Sequence, residues 1–396
     1  SIDDSDHCAL SSLTNTEWFG VRRGGMVTEA QVVALLNALY ADGTPPQQRS
    51  EIQSQLEGIR KESGDRWKEW VQSSSDYLKF FALNILFDLI SKGRWLTQPP
   101  EERGHVKHYL FSTLKSMANS ANSFVSRKMV TVLIAIAKVE WPEEWCDLLP
   151  MINTCFETAG TMMLGITLLV QMSEEFISAQ EQTSKRRDEL KSSLTKVVPD
   201  ILQRLLFLLK QMIDHLKQHA SDDLARVAVA AMGCISSYLS WIPRDKILKS
   251  PSLNLMPVLG ECLRSSSVQL RTESLGVVHE LCSVQYLSPS SVSLVLFEES
   301  THLILGQLED YVATHTSVSY PATYLKQLVL CVHTVVSTHM SRLHGDPAFP
   351  VLRFLEVTLQ FSLCQDELAS FEEVLSIWGA LVPWIEEQAT NCTTRQ

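Results

Sequence analysis

The feature that most constrains this chain is a short corner at residues 141–145, Trp-Pro-Glu-Glu-Trp, which follows an apolar helical pattern. Upstream of it, apolar residues recur at the spacing of one helix face from Phe124 to Ile136. Pro142 suits the first turn of a new helix, where its missing N–H is no loss, and the two tryptophans can cover helix ends with large apolar surfaces. The motif therefore predicts a tight corner between antiparallel helices.

Similar corners recur along the chain. Trp95 is followed by Pro99 and Pro100, and Trp241 is followed by Pro243. The three tryptophans lie 46 and then 100 residues apart. Because HEAT-type helix pairs repeat at roughly 40–47 residues, these intervals correspond to one and then two repeats. The sequence predicts an all-α fold, a right-handed α-solenoid of about eight HEAT-type antiparallel helix pairs.

The rest of the chain has the same helical period. Thr28 is expected to cap the first helix, and Asp76 is expected to cap the clearest one. In that helix the apolar residues share one face: Leu78, Phe81, Ala82, Ile85 and Leu89. An alternating apolar stretch long enough for a sheet strand is absent from the sequence.

The amino-acid composition limits the possible functions of the chain. The net charge is −11 and the sequence pI is about 5.5, so we expect no direct DNA binding, which normally requires a basic face. The nine cysteines are scattered without a CxxC pair, which indicates a reducing compartment. The longest apolar runs, such as 129–137, are shorter than the roughly 20 residues that cross a bilayer, so we expect no membrane insertion.

Patterns that carry catalytic or cofactor chemistry are incomplete. The segment from His279 resembles a zinc-protease helix, but Ser283 stands where the second histidine is required. Gly160 and Gly165 have the spacing of a phosphate-binding loop, but Ile166 replaces the required lysine. We therefore expect a binding protein rather than an enzyme, with no cofactor and no metal site.

Two stretches resemble a known family. Residues 51–114 resemble the importin-β N-terminal domain, through Gln55-Leu56, Trp67, the Phe-Phe-Ala-Leu-Asn-Ile-Leu core of 77–90, and Lys92-Gly93-Arg94-Trp95. Residues 139–145 and the later Ser240-Trp241-Ile242-Pro243 resemble the exportin-1-like domain that follows it. Together the resemblance covers about 27–287. The chain is thus similar to nuclear transport receptors of the importin-β/exportin (karyopherin) family.

The resemblance implies a domain order. Residues 1–25 are interpreted as a flexible or artefactual N-terminal extension, and 26–118 as the importin-β N-terminal-like domain. Residues 119–287 correspond to exportin-1-like HEAT repeats, and 288–396 to further HEAT-type helical repeats. Since family members are much longer, we expect this chain to be an N-terminal portion.

The family also implies partners. Its members bind Ran GTPase in the GTP form along the second helices of their N-terminal repeats, carry protein cargo, and bind Phe-Gly nucleoporins in grooves on the outer surface. They shuttle between nucleus and cytoplasm through the nuclear pore. Nuclear export of protein is favoured here, and an import receptor or a HEAT-repeat scaffold or regulatory subunit is the alternative.

Two stretches favour one branch of the family. Residues 173–175 with 185–190, and the apolar helix at 197–213, resemble the exportin-6 branch, which exports actin with profilin. The exportin-1 branch is the alternative.

Candidate Ran-binding residues are the polar positions opposite the apolar faces of these second helices. Their alternative interpretation is that each is merely solvated. In chain order they are Gln53, Arg60, Asn84, Asp88, Ser91, Lys128 and Thr131.

Overall fold

The computed structural model describes residues 27–118, 123–178, 182–219, 221–243, 255–284 and 292–393, with backbone only at 292–295 and 391–393. The predicted extension at 1–25 lies outside these ranges. Within them the regular secondary structure is entirely helical. The helices divide into two compact units, and the division falls between Glu140 and Trp141.

Among its described residues, the first unit contains six α-helices and one 3₁₀ turn, Trp95–Thr97. The helices are α1 (Glu29–Tyr40), α2 (Pro46–Glu62), α3 (Trp67–Trp70), α4 (Asp76–Ser91), α5 (Pro100–Ser116) and α6 (Phe124–Glu140).

The second unit contains ten described α-helices. They are α7 (Leu148–Asn153), α8 (Met162–Ser178), α9 (Ser184–Leu216), α10 (Asp222–Leu239), α11 (Leu255–Leu263), α12 (Val268–Cys282), α13 (Val292–Thr314), α14 (Ala322–Gly345), α15 (Val351–Leu363) and α16 (Leu368–Thr393). Two short 3₁₀ segments, Thr154–Glu157 and Ala159–Thr161, connect α7 to α8.

The helices stack on their neighbours within each unit. In the first, α4 packs along α6; in the second, α8, α10, α12, α14 and α16 pack one on the next. The 16 described helices thus form consecutive pairs, three in the first unit and five in the second. Contacts of this nearest-neighbour kind define a solenoid, so the all-α solenoid prediction is confirmed. Its right-handed sense stays a prediction.

The predicted apolar faces form the core. On α6, Val125, Met129 and Ile136 have no exposed surface, and on α10 the same is true of Ala231 and Ile235. Helices of this kind are held mainly by burial of one face, worth about 1.5–3 kcal/mol for each large apolar side chain.

Helix starts follow local chemistry. Thr28 caps α1 as predicted, in a capping box where the Gln31 side chain accepts from the Thr28 N–H at 2.9 Å. At α4 the predicted cap is wrong by one residue. Ser75 is the cap, accepting from the Leu78 N–H at 3.4 Å, and Asp76 is the first helical residue. At this position its carboxylate still interacts favourably with the positive end of the helix dipole.

The Trp-Pro corner differs from the prediction in one respect. Residues 141–147 form turns and α7 begins only at Leu148, so Pro142 does not lie in the first turn of a helix. The Trp141 carbonyl, which a helix beginning here would use for its own hydrogen bond, accepts instead from the Arg186 guanidinium. Trp141 and Trp145 are each 2% exposed, as expected of residues that cover a corner.

One segment of the described chain, Leu368–Thr390 in α16, is long and apolar enough to cross a membrane by length and composition. Its inner face is formed by Val374, Ile377 and Leu381, none more than 1% exposed, and Glu373 pairs with Lys326 of α14 at 3.1 Å. Helix α16 therefore has one buried face and one exposed apolar face. A helix at the edge of a helical stack has the same two faces.

Candidate functional site

The candidate site is the surface that α2, α4 and α6 present in the first unit. The seven sequence-predicted residues all lie on these second helices of the first three pairs. Five of them are brought into one continuous surface: Gln53, Arg60, Asn84, Asp88 and Lys128.

An ion pair between neighbouring helices is the centre of this surface. The Arg60 guanidinium of α2 contacts the Asp88 carboxylate of α4. Lys92, the C-cap residue of α4, approaches the same carboxylate at 3.3 Å. Because these side chains are about a quarter to two thirds exposed, the pairs position groups more than they stabilise the fold.

Lys128 of α6 extends the surface. Its ammonium lies 4.3 Å from the centroid of the Phe87 ring, a cation–π contact. Burial lowers the pKa of the Lys128 ammonium, the positive charge of Arg60 lowers it further, and Asp88 opposes both. The three charged candidates therefore interact electrostatically across the second helices of three successive pairs.

Gln53, Arg60 and Asn84 line one small pocket of 220 Å³, with the Tyr40 and Phe80 rings among its walls. Arg60 and Asp88 also line a depression of 240 Å³ beside it. Apolar walls with polar groups at the edge suit a partner side chain that inserts and hydrogen-bonds at its base.

Ser91 and Thr131 are not drawn into this cluster by any contact in the described part of the chain. Ser91 is exposed as the last residue of α4. Thr131 is exposed on α6, where its hydroxyl donates to the Arg127 carbonyl at 3.0 Å. Both lie on the predicted helices without joining the ion pair or the pocket.

Sequence reasoning missed an aromatic ladder beside the pocket. The rings of Tyr40 and Tyr77 stack with centroids 4.7 Å apart, and Phe124 follows at 5.7 Å from Tyr77. Their exposed fractions are 47%, 36% and 37%. Each ring lies at a helix end, and this position is the sequence signal that could have identified them. Tyr40 ends α1, and Phe124 begins α6.

The second unit has its own concave feature. A groove of 780 Å³ lies among α7, α8, α9 and α11, with apolar walls that include Pro150, Val197 and Phe207. Phe207 is 55% exposed and lies on the same face of α9 as the exposed Gln203 and Gln211, so its ring is open to a partner. At one edge, Glu261 accepts hydrogen bonds from Lys210 and Lys217, which hold the pKa of its carboxyl below the usual value.

These features suit protein recognition. Tyr, Phe and Arg are the residues enriched in interfaces, and partial exposure of several rings in one patch marks an interaction surface. Across the described residues, no group of three or more His, Cys, Asp or Glu is placed to hold a metal ion.

Comparison with known proteins gives related sequences. A family model described as exportin 1-like protein matches residues 122–278. Exportin-6-A of Xenopus laevis is 23% identical over 437 residues, which cover 90% of this chain and 38% of the relative. EXPORTIN 1B of Arabidopsis thaliana is 25% identical over 367 residues, covering 88% of this chain and 32% of the relative. Exportin-6 of Homo sapiens is 21% identical, with 89% and 37% covered. The chain thus spans about a third of these relatives' length.

Proposed function

Because this chain is a member of the exportin (karyopherin) family, we propose that it is part of a nuclear transport receptor that binds Ran in the GTP form through the surface of α2, α4 and α6. Members of this family are transport receptors rather than enzymes. The observation that carries the proposal is the convergence of Gln53, Arg60, Asn84, Asp88 and Lys128 on one surface of stacked second helices.

Nucleotide selectivity follows from the chemistry of the partner. A small GTPase orders its switch loops around the γ-phosphate and releases them after hydrolysis. A rigid surface with a preset ion pair and a pocket can bind ordered loops at a lower entropic cost than disordered ones. RanGTP therefore binds the candidate surface and RanGDP does not.

Cargo is the second partner. Exportin-6 sequences from frog and human are among the relatives, which supports actin bound to profilin as cargo, and the Arabidopsis exportin 1B match supports the exportin-1 branch as the alternative. In an exporter, RanGTP strengthens cargo binding; in an import receptor it weakens it. Measuring actin–profilin binding with and without RanGTP distinguishes the two by the sign of coupling. Export implies shuttling between nucleus and cytoplasm.

The groove of the second unit is the proposed site for Phe-Gly nucleoporins. Its apolar walls and the half-exposed Phe207 ring provide contacts for an inserted phenylalanine. Phe207→Ala is expected to reduce capture on immobilised Phe-Gly peptide about tenfold, as for loss of an interface aromatic. Leu352→Ala, which truncates an even more exposed side chain outside the groove, should leave capture unchanged.

The decisive experiment titrates Ran in both nucleotide states against the chain and matched variants. Gln53→Ala and Asn84→Ala together remove two polar walls of the pocket without touching the ion pair, and should weaken RanGTP binding about tenfold. Gln48→Ala is the control, since Gln48 is exposed on the same helix roughly 140° around its axis from Gln53. Asp88→Asn is preferable to charge reversal, because a lysine at 88 would face Arg60 and Lys92.

The outcomes separate function from site. Equal binding of both nucleotide states, or none, would reject the receptor and favour a HEAT-repeat scaffold. Selective binding that the pocket variants leave unchanged would keep the function and reject only the site.

A further inference from the structure

Two exposed histidines lie one turn apart at the C-terminal end of α9. His215 belongs to the last turn of this helix, which ends at Leu216, and His219 lies just beyond it. The helical path continues to His219, because its backbone N–H donates to the His215 carbonyl at 2.9 Å, the hydrogen bond of an α-helix. Side chains at this spacing share one face and are close enough to act on the same ligand.

The two imidazole rings have the separation of a metal chelate. Their centroids are 5.4 Å apart, with 58° between the ring planes. A histidine nitrogen lies about 2.0–2.1 Å from a bound Zn²⁺, and the ring centre lies about 1.1 Å behind that nitrogen. Two rings on one tetrahedral ion therefore have centroids about 5.2 Å apart. One ion can thus bind both rings without a change in the path of the backbone.

Close spacing in the sequence does not by itself pair two rings. His105 and His108 lie three residues apart on α5, and both are exposed. Within the described structure their rings make no contact with each other, whereas those of His215 and His219 do. The arrangement at the end of α9 is therefore specific to that position.

The surroundings of the pair favour a cation. The last carbonyls of a helix carry the negative end of its dipole, and α9 has 33 residues. Lys210 and Lys217 lie roughly 140–180° around the helix axis from the two histidines. Both lysines bind Glu261 of α11, at 2.6 and 2.8 Å. Their charges are thus directed away from the rings and balanced by a carboxylate.

We propose that His215 and His219 bind a divalent transition-metal ion of the class that prefers imidazole ligands, with Zn²⁺ as the ion that matches the ring separation. Two neutral imidazole nitrogens replace two water molecules of the ion, and any proton they carry passes to solvent. Mg²⁺ and Ca²⁺ are excluded because they prefer oxygen ligands. Two protein ligands leave the remaining positions of the ion to water or to a partner's side chain.

The bound ion would fix the last turn of α9. Helix ends fray, and His219 lies beyond the last residue of the helix. An ion held by both histidines closes this turn and fixes the point from which the chain enters α10 at Asp222. The site is independent of the proposed function, since neither histidine lines the candidate Ran-binding pocket or the groove of the second unit.

The first measurement titrates Cu²⁺–nitrilotriacetate into the full chain by calorimetry. Cu²⁺ is the divalent first-row ion that nitrogen sites bind most strongly, and the chelator leaves only two of its positions open. One tight site per chain is expected. His215→Gln or His219→Gln leaves a single imidazole and should weaken binding at least about a hundredfold, because the second ligand acts at a high effective concentration. Both side chains are exposed, so neither variant should disturb the core.

A matched control and a second ion make the result specific. His108→Gln removes one member of the pair on α5 and should keep the tight site. Zn²⁺ alone, at a free concentration about ten times its Kd, should slow amide hydrogen exchange at residues 217–219 about tenfold in the unmodified chain and not in His219→Gln. The absence of a tight site, full affinity in either α9 variant, loss of the site in His108→Gln, or exchange that Zn²⁺ leaves unchanged would each overturn the proposal.

Discussion

The indole N–H of Trp95 donates a hydrogen bond of 2.9 Å to the carboxylate of Glu140, 45 residues away in the chain. Glu140 is 1% exposed, and Arg103 and Lys107, both on α5, also bind its carboxylate. One buried acid at the end of α6 thus connects α5, α6 and the turn that carries Trp95. A buried charge is stable only when it is paired and hydrogen-bonded in this way.

Glu140→Gln should destabilise the first unit by about 3–5 kcal/mol, because it removes the buried carboxylate charge that Arg103 and Lys107 both bind. Loss of amide protection in α5 and α6 by hydrogen exchange is the measurement. Glu57→Gln, which removes an exposed acid 3.7 Å from Arg60, is the control and should cost less than about 1 kcal/mol. Similar protection in the two variants would contradict the network's role.

A second buried cation, in the second unit, allows two tyrosine variants to be compared. Arg271 of α12 binds Asp310 at 2.5 Å and the Tyr324 hydroxyl at 3.1 Å, and that hydroxyl donates to Gln307 at 3.1 Å. Tyr324→Phe should cost about 1–3 kcal/mol because it leaves buried groups unpaired. Tyr320→Phe removes a more exposed hydroxyl, 3.4 Å from Arg271, and should cost less. Urea unfolding of both variants gives the order, and the reverse order would reject this account.

Cysteine reactivity should follow burial. Burial raises the pKa of the Cys262 thiol to about 12 and that of the Cys331 thiol well above its ordinary value, whereas Cys146 is exposed. Since the thiolate is the reactive form, iodoacetamide at pH 8 should alkylate Cys146 at least about a hundredfold faster than Cys262 or Cys331. Mass spectrometry of timed digests resolves each site. Comparable rates at Cys146 and Cys262 would show that α11 opens readily.

The buried His339 should make stability depend on pH. Its Nε2 lies 2.9 Å from the Cys282 carbonyl, its ring packs on Phe297, and burial lowers its pKa from 6.5, with the Arg342 charge acting in the same direction. The unfolded chain therefore binds the proton more readily, and unfolding free energy should fall as pH drops below about 6.5.

That contribution is complete above the unfolded pKa and is lost as pH falls toward the folded pKa. His339→Gln removes the titrating group, so the decline between pH 7 and pH 5 should be shallower in the variant than in the unmodified chain. Guanidinium unfolding at several pH values measures both slopes. Identical slopes would assign the pH dependence to other groups.

Much of this fold was predictable from residue spacing. The apolar faces of α6 and α10, the Thr28 cap and the covering role of Trp141 and Trp145 are local properties, set by the period of the helix and by which groups a helix end leaves unpaired. The resemblance at 51–114 and 139–145 predicted the family, and the exportin 1-like family model at 122–278 and the exportin relatives support that prediction. Short-range chemistry was sufficient for these conclusions.

The two errors at helix starts have different causes, one local and one long-range. Asp76 and Ser75 are both good caps, and spacing alone does not choose between adjacent candidates. At the corner, the Arg186 guanidinium, 45 residues away in the chain, donates to the Trp141 carbonyl, and α7 begins only at Leu148. A contact of that range carries no periodic signal.

Sequence by itself determined that the chain forms stacked helices and which face of each is buried, because one helix period encodes both. Only the tertiary structure decided which polar residues meet. Periodicity places Arg60 and Asp88 on solvent faces of two helices, and stacking makes them partners. Glu140 has the same polar pattern, yet it is buried because Arg103 and Lys107, one turn apart on α5, converge on it. Charge pairing between helices depends on their relative placement, and neither period nor propensity encodes that placement.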